Sequence, residues 1–158
     1  MTTLIVTASH HGSTREIAER VAEVLRTTQQ VETVVEDVAG SAAWLDTADA
    51  VIVAAPVYGG KLEKSAKAFL DTRRAELARK SLVILYSGAA PLPDRRLADQ
   101  LATYGARDVR YVRGALVEER LSGVEKLKIK LVKGQYGDFR DWNAIEHWAK
   151  GLGAHGVA

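Results

Sequence analysis

The chain has 158 residues, 47% hydrophobic and 27% charged, with a formal net charge of +2 and no cysteine. That composition suits one soluble domain, and the missing cysteines exclude disulfides, thiolate metal sites and thiol nucleophiles and fit a reducing cytoplasm. The mild charge names no nucleic-acid partner, no leader peptide is expected from the opening residues, and the longest apolar run (50–58) is far short of the roughly 18–20 residues a membrane span needs.

The first strand is predicted at residues 4–7, a continuous apolar run. It meets a polar loop, Ser9-His10-His11-Gly12-Ser13-Thr14. A helix over 14–26 follows, with Ile17, Val21 and Leu25 recurring every four residues. Strands are predicted at 31–35 and 50–55, and Pro56 is expected to stop the latter. Val57-Tyr58-Gly59-Gly60 then reads as a flexible loop before a helix over 62–79. This helix places Leu62, Ala66, Phe69, Leu70 and Leu77 on one face. A fourth strand at 81–86 leads through Ser87-Gly88-Ala89 to a short helix at 94–104. A fifth, at 109–117, carries Arg110 and Arg113, which suit a sheet edge.

Residues 124–133 alternate lysine with apolar residues, as a strand would. On a helical wheel Leu121, Val124, Leu127, Leu131 and Val132 also share a face, and a helix is the preferred reading after a strand. Its lysines form either a solvated face or a basic surface for peripheral contact with an anionic membrane. A last helix over 139–152 aligns Trp142, Ile145, Ala149 and Leu152. The glycine-rich end, 151–158, is expected to fray, so the domain is placed at 1–152 with a flexible tail at 153–158.

Strands apolar on both faces, alternating with helices, indicate an α/β doubly wound domain: a five-stranded parallel sheet with helices on both faces. Ligands of such sheets sit beyond the carboxyl ends of the strands. The order 2-1-3-4-5 brings the first, third and fourth strand ends together.

Three loops occupy those ends. In Ser9–Thr14, Gly12 lets main-chain amides approach an anion, and Ser9, Ser13 and Thr14 add hydroxyl donors at a helix start. His10 and His11 add ring donors. Ser13-Thr14-Arg15-Glu16 equally fits a capping box. With neither a Walker loop nor a dinucleotide fingerprint, a single phosphate seat favours a mononucleotide. In the second loop, Tyr58 offers a π face for a flat ring, or is simply a half-buried aromatic, and Gly59 and Gly60 allow peptide rearrangement. In the third, Ser87, Gly88 and Ala89 offer exposed amides, or form a plain turn.

With these loops the sequence resembles the flavodoxin family. "SHHGST" looks like its phosphate loop, with Ser9, Gly12 and Thr14 matching and His10, His11 and Ser13 at variable positions. "APVYGG", with Pro56 and Val57, and "SGAAP" sit where its flavin-ring loops belong. The resemblance implies FMN. A closer likeness, in "GSTREIA", "VIVAAPVYGGKLEKSAKAFL", "VRGALVEE" and "DWNAIEHWAK", is to the menaquinone-dependent protoporphyrinogen dehydrogenase branch. It implies oxidation of an organic substrate for haem synthesis, with electrons passed to quinone. Between Lys133 and Trp142 this chain has only "GQYGDFRD", where that branch carries a longer insertion.

Lys61, Lys64, Arg95 and Arg96 near the expected flavin favour its reduced anion and a raised potential. A flavodoxin-type carrier and a flavin-free binding module are the alternatives. A receiver domain would need acidic residues after the first strand, where Ser9-His10 stand. A metal hydrolase would need carboxylates beside His10 and His11, and the nearest in sequence is Glu16. No side chain is assigned as catalytic, the oligomeric state is left open, and the expected location is the cytoplasm, at the inner face of a membrane if segment 124–133 docks there.

Overall fold

The structure, a computed structural model, describes residues 1–9, 12–116, 122–131 and 137–154. In chain order the elements are β1 (Thr2–Thr7), α1 (Ser13–Gln29), β2 (Glu32–Asp37), a 3-10 turn (Val38–Gly40), α2 (Ala42–Leu45), β3 (Ala50–Tyr58), β4 (Lys61–Leu62), α3 (Lys64–Thr72), α4 (Arg74–Leu77), β5 (Ser81–Gly88), α5 (Arg95–Ala102), β6 (Asp108–Arg113), β7 (Ala115–Leu116), α6 (Gly123–Leu131), β8 (Gly137–Asp138) and α7 (Trp142–Ala154).

The five long strands pair in parallel in the order β2-β1-β3-β5-β6, the expected 2-1-3-4-5 arrangement. Strand side chains alternate between faces, so a continuous apolar run feeds two cores at once. Leu4, Val6, Val51, Val53, Leu82 and Ile84 pack against α3 and α5 through Ala66, Phe69, Leu70, Leu97 and Leu101. Ile5, Ile52, Ala54, Val83 and Leu85 pack on the other face against Ile17, Val21 and Leu25 of α1 and Ile145, Ala149 and Leu152 of α7. α1 and α7 also meet directly: Gln29 Nε2 donates to the carbonyl of Lys150 at 2.7 Å.

Several elements differ from the sequence expectations. Pro56 does not stop β3, which runs on to Tyr58. It lies opposite Ser87 near the strand's end, and its carbonyl accepts from Glu63 N at 2.9 Å. The proline thus contributes an acceptor where its missing N–H matters little. The expected flexible loop is a tight hairpin: Val57 faces Leu62 and Tyr58 faces Lys61. Gly59 (φ 57°) and Gly60 (φ 74°) supply the two positive angles of a type I′ turn.

The helix expected over 62–79 starts later and breaks once. Glu63 caps it, accepting from Ser65 N at 2.9 Å and Ala66 N at 3.0 Å. Arg73 then separates α3 from α4. The fifth strand ends at Arg113. Ala115 and Leu116 form instead a two-stranded antiparallel ladder with Asp138 and Gly137, and the expected end at Val117 lies outside the described residues.

The helical reading of 124–133 holds over Gly123–Leu131, while Leu121, Val132 and Lys133 lie outside the described residues. Val124 and Leu127, expected on its apolar face, are 66% and 56% exposed. α7 includes Gly151, Gly153 and Ala154. A Cβ at Gly153 would overlap the Gln29 side-chain amide, which would have to swing away from the Lys150 carbonyl it bonds.

Candidate functional site

The loop after β1 opens α1. Gly12 is the N-cap residue, with φ 84° and ψ −13°, a left-handed conformation that glycine adopts without a Cβ penalty. Its N–H donates to Ser9 Oγ at 3.0 Å, which leaves the Ser9 hydroxyl hydrogen for another acceptor. The capping box is not formed: Ser13 is the first helical residue, and no side chain caps the helix. Glu16 turns instead to Arg140. Arg15 is drawn to Asp37 (2.5 Å) and Glu19 (3.5 Å). His10 and His11 lie outside the described residues.

Thr14 ties this loop to the end of β5. Its Oγ1 lies 2.8 Å from Ser87 Oγ, and both residues are buried. Ser87 stands between Pro56 of β3 and Val112 of β6 in the sheet register. Gly114 closes the other side, its N–H donating to the Gly88 carbonyl at 2.9 Å. A Cβ there would come within 3.8 Å of Ser13 Oγ and 3.7 Å of Ser87 Oγ. The strand ends thus bring together Ser9, Gly12, Ser13, Thr14, Ser87, Gly88 and Gly114. The donors are hydroxyls and main-chain amides, and the nearest acid on α1 is engaged by arginine. The part of that set at the start of α1, from Ser9 to Thr14, suits a phosphate.

The third loop is held from β6. Tyr111 Oη donates to the Ala90 carbonyl at 2.7 Å, and Arg113 donates to the Ala89 carbonyl at 3.0 Å. Gly88 is needed where Tyr111 crosses, because a Cβ would fall 2.9 Å from the phenol oxygen. Tyr86 packs obliquely on Tyr111 with ring centroids 5.2 Å apart. Burial pushes both phenols above the usual range, with Asp94 adding to the shift at Tyr86, so both are protonated at neutral pH. The hairpin tip abuts this loop: a Cβ on Gly60 would lie 3.9 Å from Asp94. Tyr58 is 42% exposed at the rim.

All three loops are legible in the sequence, whereas the props from the fifth strand are not: Tyr111 and Arg113 share one side of an edge strand, and that alternation is their only signal.

Beyond the site, Arg140 pairs with Asp138 (2.6 Å) and with Glu16, and its guanidinium lies 4.7 Å from the Trp142 ring centroid. It fastens the small β7–β8 sheet to α1. The hydrogen bond from Arg140 holds the Asp138 carboxyl below the usual range. A lowered carboxyl stabilises the fold above its ordinary pKa, and that contribution is lost as pH falls through the depressed value. Arg140→Gln is expected to raise the Asp138 pKa in a carboxylate-resolved NMR titration. It should also remove this acid-side loss, at a cost of about 1 kcal/mol because the partners are half exposed.

A shallow groove runs from Gly12 along α1, lined by Arg15, Glu16, Glu19, Arg20, Glu23 and Trp142. Its arginines are already paired, Arg20 with Glu146 and Glu23, so it is a charged helix flank rather than a binding cleft. Among the described residues no three acidic or histidine side chains gather as metal ligands, and no helix is long and apolar enough to cross a membrane.

A family model, Flavodoxin domain, matches residues 4–142. No curated protein matches the chain. Among solved structures the chain is similar to a flavodoxin of Streptococcus pneumonia TIGR4, at 23% identity and a TM-score of 0.62, covering 98% of this chain and 99% of that one. It is similar also to a short-chain flavodoxin associated with a bacterial microcompartment, at 19% identity and 0.66, covering 100% and 99%. A third is Flavodoxin 1 from Bacillus cereus, at 22% and 0.56, covering 85% and 99%. At these identities the likeness is one of fold.

Proposed function

The chain belongs to the Flavodoxin domain family, FMN is accordingly its cofactor, and we propose that through it the protein moves electrons between an organic reductant and a quinone. The observation that carries this reading is the Thr14–Ser87 contact. It pins the first-strand loop to the fourth-strand loop, so that a phosphate seat and a ring seat share one rim. In this reading Ser9, Gly12, Ser13 and Thr14 hold the phosphate, with His10 and His11 alongside. The hairpin Pro56-Val57-Tyr58-Gly59-Gly60 and the turn Ser87-Gly88-Ala89 flank the ring. FMN supplies the electron chemistry when bound, and the protein supplies position and electrostatics.

Two features favour a dehydrogenase over a low-potential carrier. Lys61, Lys64, Arg95 and Arg96 are exposed beside the proposed ring loops and favour added negative charge on the flavin. Helix α6, with lysines at 126, 128 and 130 of the sequence and Val124 and Leu127 exposed, suits contact with an anionic membrane that holds a lipid-soluble quinone. Fluorescence titration is expected to show tight FMN binding. A redox titration should place the bound flavin at or above the potential of free FMN, and protoporphyrinogen with a quinone should turn over. A midpoint far below that of free FMN would overturn the dehydrogenase reading. The carrier reading is favoured by one observation, an exposed apolar tip beside the proposed ring seat.

A further inference from the structure

That tip is Pro91-Leu92-Pro93, and Leu92 is 77% exposed. A single exposed leucine is ordinary on a protein surface. This one differs because everything around it is held still. Ala89 and Ala90 are anchored through their carbonyls by Arg113 and Tyr111. Asp94 caps α5, accepting from Leu97 N at 3.0 Å. The two prolines fix their own backbone angles. The loop therefore presents an apolar side chain to water with little left to order on binding, a preorganisation that favours association.

Cations follow on the same elements. Gly60 approaches Asp94, so the hairpin meets the start of α5 one residue before Lys61 and one before Arg95; Arg96 continues α5 and Lys64 opens α3. All four cations are exposed. Among the described residues none is paired with a carboxylate. The nearby acids are committed elsewhere, Glu63 capping α3 and Asp94 capping α5.

We propose that Leu92 and the cations Lys61, Lys64, Arg95 and Arg96 form the docking surface for an acidic redox protein. The surface rests on the proposed function in that the flavin edge is what such a partner would need to reach. One leucine between prolines is too little apolar area to insert into lipid, whereas a preorganised apolar side chain loses little freedom on meeting a protein surface. The cations set encounter rate and the sign of the partner's charge.

Affinity is measured by calorimetry on the flavin-loaded protein, with a plant-type [2Fe–2S] ferredoxin as acidic probe and cytochrome c as basic control. Flavin retention is read from the absorbance of the same samples. Ferredoxin is expected to bind, and to weaken at least about tenfold as salt rises from about 50 to about 300 mM. Arg95→Glu with Arg96→Glu should cost a further tenfold or so at low salt. Leu92→Ala should cost about tenfold without changing the salt dependence and without loss of flavin.

Equal binding of cytochrome c, or variants that bind ferredoxin like the parent, would overturn the proposal. So would salt-sensitive binding to phosphatidylserine-containing vesicles, lost in both variants, with no ferredoxin bound. Samples that stay colourless after incubation with FMN would sink the proposed function, and the redox role of the surface with it. Retained flavin with unaltered variants would sink the surface alone.

Discussion

Gly12→Val is expected to strip the protein of FMN, lowering affinity at least about a hundredfold, close to 3 kcal/mol. Gly12 sits at φ 84°, where a β-branched residue is a steric outlier. Relieving the strain rotates the peptide units on either side. The Gly12 N–H then leaves Ser9 Oγ, and the first amides of α1 turn from the site they converge on. The fold should survive, because the loop is short and α1 is held by Ile17, Val21 and Leu25 in the core. Gly12→Ala should fall between. Fluorescence quenching on titrating FMN into apoprotein measures both. Parent-like affinity in the valine variant would mean the phosphate is held elsewhere.

Ile52→Ala should have the largest effect on stability. Ile52 is fully buried at the middle of β3, paired with Ile5 on one side and Val83 on the other, and it faces the α1–α7 layer. Neighbours in a sheet centre cannot move in to fill the gap, so lost transfer energy and a residual cavity add, costing about 2–5 kcal/mol. For a domain of this size that lowers Tm by roughly 5–15 °C, read by differential scanning calorimetry. FMN at about a hundred times its Kd should stabilise parent and variant alike by some 2.7 kcal/mol, raising both Tm values and leaving the deficit between them in place. A variant whose own Tm does not rise with FMN would argue that the ligand does not bind its native state.

The long strands were legible because they are apolar on both faces. Val51, Val53, Ile52 and Ala54 read as one run and serve two cores. The loops of the site were legible because glycine and hydroxyl residues cluster where a strand meets a helix. What the pattern hid was local rescue. Pro56 reads as a terminator, yet at that register its carbonyl is used and its missing N–H matters little. Ser13 and Glu16 have capping-box spacing, but Gly12 rather than Ser13 is the N-cap residue, and the glutamate pairs with Arg140, over a hundred residues on. A helix over 62–79 fits the apolar spacing, yet Glu63 is buried and accepts from Ser65 N and Ala66 N, a local cap that sets the start at Lys64. A long-range partner such as Arg140 leaves no mark on a local window.

The two-rung ladder Ala115–Asp138 and Leu116–Gly137 has a consequence for how such chains diversify. It pinches the backbone shut outside the main sheet, like the throat of a purse. Chain length added or removed beyond the throat alters closure entropy only logarithmically, about 0.6 kcal/mol for each doubling. The stretch between the two rungs can therefore be swapped, lengthened or trimmed while the sheet beneath it keeps its shape.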